Sequence, residues 1–213
     1  MEHQALNRLQ FSEDLKGGFS NKPAQGRLPE PLPVPLKLNL GCGQDIRDGY
    51  INIDLFSENP SVVAMDIRRL DLPGNCVDII LASDILEHFS HRETDMVLKE
   101  WARILKPGGE LIIRCPSLRL QAKAYMSGVW DADVASYMIF GGQTNPGDYH
   151  CTAFDEESIK KHLEQAGLEV EKFEEIDTPQ NNGYINLNMT VSAKKPDKKE
   201  SEIHQEFAFD FGE

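Results

Sequence analysis

The chain has 213 residues, 40% of them hydrophobic, which is enough for one sizeable core and favours one domain over two. A formal charge of -13 argues against a surface that tracks phosphate backbones or anionic lipid, since both need clustered cations, so no nucleic-acid partner is expected. Four cysteines without a Cys-x-x-Cys pair, a polar first thirty residues and no run of membrane-spanning length lead to the expectation of reduced thiols in a cytoplasmic protein with no membrane span.

From the amino end, residues 1–35 read as an arm. Leu6, Leu9, Phe11 and Leu15 suit a short helix, and Pro29, Pro31, Pro33 and Pro35 make a stiff, extended linker. Lys37-Leu38-Asn39-Leu40 then predicts an apolar strand running into Gly41-Cys42-Gly43, a turn whose bare backbone lets a ligand approach. Alternation from Tyr50 to Phe56 predicts a second strand, with Asp54 at its carboxyl end. The gap between these strands, about six to eight residues, is too short for a full crossover helix. Ser61 to Met65 predicts a third strand that delivers Asp66-Ile67 to the same edge. Val77 to Ala82 predicts a fourth, buried on both faces, that empties into Ser83-Asp84-Ile85-Leu86-Glu87-His88. Asp78 stands at the opposite end of that strand and reads as a turn or cap residue.

Ser90 and Glu93 have capping-box spacing and open a helix whose stripe is Val97, Leu98, Trp101, Ile104 and Leu105. Lys106-Pro107-Gly108-Gly109 stops it, and Leu111 to Ile113 is a fifth strand. Residues 118–140 predict two short helices divided near Gly128, the second capped by Asp131, and a polar, glycine-rich loop then runs to His150. Asp155 caps a further helix that Gly167 ends. Residues 168–176 and 185–193 are the last two strands, joined by a loose turn at Asn181-Asn182-Gly183. Residues 194–213 are charged and then acidic-aromatic, and are expected to be disordered, which leaves residues 36–193 as the domain.

The order of these elements, with Leu-Asn-Leu-Gly-Cys-Gly at 38–43, Gly-Tyr-Ile-Asn-Ile-Asp at 49–54, Leu-Glu-His-Phe at 86–89, Leu-Lys-Pro-Gly-Gly at 105–109 and Phe-Gly-Gly-Gln at 140–143, resembles the class I S-adenosylmethionine-dependent methyltransferases. Within that class the wording is similar to a bacterial subgroup associated with surface-polysaccharide and glycan biosynthesis. The resemblance implies an α/β, Rossmann-like fold with a mostly parallel seven-stranded sheet, an antiparallel last strand and helices on both faces. It also implies S-adenosyl-L-methionine as cofactor. Gly41, Cys42 and Gly43 would meet its methionine and ribose portion. Asp54, with Leu55 beside it, would take the ribose hydroxyls, Asp66 and the Ile67 backbone the adenine, and Ala82 and Ser83 the methionine side. Asn39 departs from the acidic residue common at its position, though an amide oxygen still accepts one bond from the cofactor's amino group.

Transfer of a methyl group to a hydroxyl needs alignment and a proton sink, and His88 and His150 are the two histidines expected to serve, His150 as the better general base. Gln143, Asp148 and Tyr149 crowd polar groups into the loop beside it and are expected to shape the acceptor site. The acceptor is expected to be small and polar, foremost a saccharide hydroxyl, with a quinone or other small molecule, or a catalytically silent cofactor-binding module, as alternatives. No metal is expected, because the sequence spacing shows no compact ligand set, with Glu87, His88 and His91 as a weak exception. A nicotinamide oxidoreductase would want a glycine where Ile46 stands.

Overall fold

The computed structural model describes residues 26–144, 147–179 and 185–197. Six strands pair in the order β2-β1-β3-β4-β6-β5. Strands β1 (Lys37–Leu40), β2 (Ile51–Ile53), β3 (Val77–Ser83) and β4 (Leu105–Pro116) are parallel, and β6 (Ile185–Lys194) runs antiparallel between β4 and β5 (Glu169–Pro179). The antiparallel last strand stands as expected, and the sheet holds six strands among the described residues, where seven were expected. Residues 61–65 contribute a single bridge, Val63 to Ile53, because Met65 and Ile67 turn at once into the core and Gly26 N–H bonds the Ala64 carbonyl at 2.6 Å. Strand β2 is also shorter than its alternation suggests. The Asp54 carboxylate accepts from Phe56 N–H at 2.8 Å and turns the chain after Ile53.

The register puts Leu38, Leu40, Ile80, Ala82, Leu111, Ile113 and Val191 on one sheet face. Helices α1 (Thr94–Ile104) and α4 (Glu156–Gln165) press Val97, Leu98, Trp101, Ile159 and Leu163 into the same core. The opposite face, with Ile79, Leu81 and Ile112, is only half-buried. The crossovers from β1 to β2 and from β2 to β3 hold no helix among the described residues, so the expected helices on both faces are not seen. Helices α2 (Leu118–Met126) and α3 (Ala132–Phe140) form a second, smaller cluster around Trp130 and Leu187. Among the described residues no helix is long and apolar enough to cross a membrane.

Local chemistry explains most boundaries. Asp131 accepts from Val134 N–H at 2.9 Å, and Asp155 with Ser158 makes a reciprocal capping box. Ser90 behaves differently from the expectation: its hydroxyl donates to Glu93 at 2.8 Å, residues 90–93 form a turn, and α1 starts at Thr94. The run Lys106-Pro107-Gly108-Gly109 ends α1 but is absorbed into β4. The two glycines make the irregular pairing opposite Val77 possible: Gly108 has φ +74°, and a Cβ on Gly109 would lie 2.8 Å from the Lys106 carbonyl.

At the chain's margins, Leu28 and Leu32 of the linker pack on the core. Lys195 donates to the Ala102 and Leu105 carbonyls at 2.7 and 2.9 Å, so order extends beyond residue 193. The helix expected near residues 6–15, the turn at 181–183 and the tail from residue 198 lie outside the described residues.

Asp78 is a structural residue, as its strand position suggests. It accepts from Leu36 N–H at 2.8 Å and from Lys106 Nζ at 2.7 Å, and these partners, Lys106 first, hold its carboxyl below the usual range. A depressed folded value means that its contribution is present above the unfolded value and lost as pH falls through the folded one. Asp78→Asn is expected to cost about 1 kcal/mol at neutral pH, after screening of this partly exposed pair, and to flatten the acid limb of stability against pH in urea melts.

Candidate functional site

The carboxyl ends of β1, β2 and β3 and the segment after the Val63 bridge bring Gly41-Cys42-Gly43, Asp54, Asp66-Ile67 and Ser83 to one edge of the sheet. Gly41 (φ +62°) lies against Ile85 so closely that a Cβ there would overlap the isoleucine side chain, while nothing stands within 4 Å of a Cβ on Gly43. One glycine is therefore needed for packing, and the other leaves open backbone. The Gly43 N–H donates to Asp54 Oδ2 at 3.0 Å, which ties the turn to the carboxylate. An open glycine backbone next to a strand-end carboxylate fits a ligand carrying a ribose diol.

Gly41→Ala is expected to cost roughly 2 kcal/mol through the left-handed backbone and the Ile85 overlap. It should weaken cofactor binding at least tenfold by displacing the turn, as read by calorimetry.

Other expected contacts sit less simply. Asn39 is 1% exposed and donates to the Asp45 carbonyl at 2.7 Å and to Asn52 at 2.9 Å, so its amide braces the turn from behind. Asp66 accepts from Arg68 at 2.7 and 3.0 Å, and an adenine amino group would share that carboxylate with the guanidinium. The Ile67 carbonyl accepts from Trp101 Nε1 at 3.0 Å. Ala82 is fully buried with its side chain on the core face, which leaves only its backbone for a ligand; Ser83 and Leu55 are half-buried. Cys42 is buried, and burial, then Asp54, pushes its thiol up to about 11, so it is inert.

Beyond Ser83 the chain enters a short 3-10 turn, Leu86–His88, and the loop ending at His150 folds down on it. Two amides, Cys151 N–H and Thr152 N–H, donate to the Glu87 carbonyl at 2.7 and 3.1 Å and lock the segments together. The His88 and His150 rings meet edge to face with centroids 5.0 Å apart. His88 Nδ1 is bonded to the Tyr149 carbonyl at 3.1 Å; since that oxygen only accepts, Nδ1 donates to it and Nε2 is the ring's other nitrogen, not engaged in that bond. The His150 ring bonds the Met138 backbone, while burial, then the neighbouring His88, pulls its pKa below the usual value.

Glu87 completes the group. It is 2% exposed, neither carboxylate oxygen has a hydrogen-bond partner among the described residues, and burial pushes its carboxyl up to about 8. One ligand atom from each of Glu87, His88 and His150 lies within 4.8 Å of the others.

His88 and His150, expected as alternative bases, lie 62 residues apart in the chain and meet ring to ring in the fold, a contact that spacing alone does not reveal. Glu87 stood out in the sequence only as a weak metal candidate with His88 and His91, and the fold sets it beside His150 instead. Asp84 was missed. It has φ +52° and is held by an ion pair with Arg114 and a bond from Asn188 at 3.2 Å, fixing the start of the turn.

In the acceptor loop, Asp148 accepts from the Thr144 hydroxyl at 2.8 Å and backbone at 3.1 Å. The Thr144 hydroxyl first, with both histidines contributing, holds its carboxyl below the usual range. Gln143 takes φ +53° with its N–H on the Asp148 carbonyl at 3.1 Å, and Tyr149 is exposed.

Residues 38–113 match the family model described as a methyltransferase domain. Over 113 residues the chain is 30% identical to the ubiquinone/menaquinone biosynthesis C-methyltransferase UbiE of Pseudomonas putida, covering 52% of this chain and 41% of that protein. The chain thus spans less than half the length of this relative. The fold is similar to a crystal structure of an S-adenosylmethionine-dependent methyltransferase from Methanosarcina mazei, with TM-score 0.56, 18% identity and coverage of 76% and 92% of the two chains. A second crystal structure, of a putative S-adenosylmethionine-dependent methyltransferase from Listeria monocytogenes, matches with TM-score 0.51 at 16% identity over 76% and 91%. Residues 38–113 thus match a methyltransferase domain, and the fold is similar to that of solved S-adenosylmethionine-dependent methyltransferases.

Proposed function

We propose that this S-adenosylmethionine-dependent methyltransferase domain methylates a small hydroxylated aromatic acceptor of the quinone-precursor kind. The observation that carries the reading is the Glu87, His88 and His150 cluster on the turn after β3, flanked in sequence by the exposed aromatic side chains of Tyr137, Phe140 and Tyr149. A polar cluster able to handle a proton, bordered by flat apolar surface, suits a planar ring bearing an ionisable hydroxyl. The UbiE relative supports the same acceptor class, though the matched part is chiefly the cofactor half of the fold.

The sulfonium of the cofactor supplies an activated methyl group. This chain's own residues do the rest: the glycine turn and Asp54 orient the donor, Ser83 and Ile85 lead into the acceptor face, and the His88 and His150 cluster draws off the hydroxyl proton as the acceptor attacks. Gln143, Asp148 and Tyr149 border the acceptor. A saccharide hydroxyl is the second reading, favoured by the exposed polar groups of that loop.

Methyl transfer from labelled S-adenosylmethionine, read as release of S-adenosylhomocysteine, separates these readings. Turnover is expected with hydroxylated quinone precursors. Turnover confined to nucleotide sugars or glycans would reverse the order, and tight cofactor binding with no turnover on any acceptor would make the domain a silent binding module.

A further inference from the structure

A carboxyl group without a hydrogen bond is costly to bury, and neither Glu87 side-chain oxygen has a partner among the described residues. What lies within reach is a pair of imidazoles, each already held by its other edge: His88 through Nδ1 on the Tyr149 carbonyl, and His150 through its bond to the Met138 backbone. An imidazole anchored to a carbonyl by one nitrogen and presenting the other is the arrangement that second-shell contacts give to metal-bound histidines. The backbone is fixed as well, by the two amides on the Glu87 carbonyl.

We propose that Glu87, His88 and His150 bind one divalent first-row transition-metal ion. Two imidazoles and a carboxylate suit Mn(II), Fe(II), Co(II) or Zn(II), and exclude a dedicated calcium site, which would want oxygen donors throughout. Bonds of about 2.0–2.2 Å set donor atoms roughly 3–3.5 Å apart. The three donors already lie within 4.8 Å of one another, so only a modest contraction separates them from that spacing. Three protein ligands leave coordination positions open, and an acceptor oxygen is the ligand that suits them. This last point rests on the methyl-transfer reading above; the metal site itself does not. Local spacing in the sequence groups only Glu87, His88 and His91; the third donor proposed, His150, arrives from a distant loop that spacing along the chain does not reveal.

The test titrates the full chain, cleared of metal and without S-adenosylmethionine, with Co(II), reading visible d–d absorption and calorimetric stoichiometry. One ion per chain is expected, with a rise in melting temperature. His150→Ala and Glu87→Gln should each weaken binding at least tenfold and abolish the rise, while His91→Ala, an exposed neighbour outside the cluster, should change neither. Because Glu87 is buried, His150→Ala decides the matter if Glu87→Gln does not fold.

Absence of stoichiometric Co(II) binding below millimolar concentration, or equal binding by wild type and His150→Ala, overturns the site. Methyl transfer that persists in full with chelator, together with no Co(II) binding, overturns the metal and leaves the proposed function standing. Co(II) binding lost in His150→Ala, with no methyl transfer on any acceptor, upholds the metal and sinks the functional reading.

Discussion

Asp54→Ala is expected to weaken S-adenosylmethionine binding about a hundredfold, corresponding to two charge-assisted hydrogen bonds and about 3 kcal/mol. The carboxylate has two duties. Its oxygens accept from Gly43 N–H at 3.0 Å and from Phe56 N–H at 2.8 Å, and its remaining lone pairs are the acceptors available to the ribose hydroxyls. Alanine removes both the ribose contact and the brace on the glycine turn. Asp54→Asn keeps one acceptor oxygen and the shape, so roughly a tenfold loss is expected from the missing charge assistance. Calorimetry on folded variants reads the result. Wild-type affinity in Asp54→Ala would move the ribose contact to another residue.

Trp101→Ala should be the most destabilising single change in the core, by about 3–5 kcal/mol, because a fully buried indole leaves a cavity that α1 and the sheet cannot both close. Its Nε1 also donates to the Ile67 carbonyl at 3.0 Å, and its ring meets Phe89 edge to face at 6.4 Å. The same side chain therefore supports the Asp66-Ile67 segment, where adenine is expected. Trp101→Phe keeps much of the volume and loses the bond, so about 1–2 kcal/mol is expected in urea unfolding. A several-fold drop in cofactor affinity should accompany it. Lost stability in Trp101→Phe with unchanged affinity would separate the indole from the adenine contact.

Periodicity located the strands that carry the site because they are short and apolar and end at acidic or glycine residues. The helix stripe Val97, Leu98, Trp101 and Ile104 is buried as read, since a period near 3.6 on one face leaves little alternative. Residues 61–65 have strand composition yet form one bridge, because β-propensity describes a half-buried pleated surface and pairing there competes with burial of Met65 and Ile67. The Lys106 to Gly109 run has stop-signal composition and lies inside β4, where the pairing irregularity uses the glycines.

By itself the sequence determined the edge proposed to hold the cofactor: strand, glycine turn and strand-end carboxylates are local features, each set by neighbouring residues and legible in order. Only the tertiary structure decided the groups that meet on the proposed acceptor side. The Glu87 and His88 turn and His150 are distant in the chain, and their meeting depends on the loop after α3 folding back so that Cys151 and Thr152 bond the Glu87 carbonyl. The burial that leaves the Glu87 carboxyl without a hydrogen bond among the described residues is a property of the packed fold, because a carboxylate's environment is set by every element around it and by no spacing along the chain.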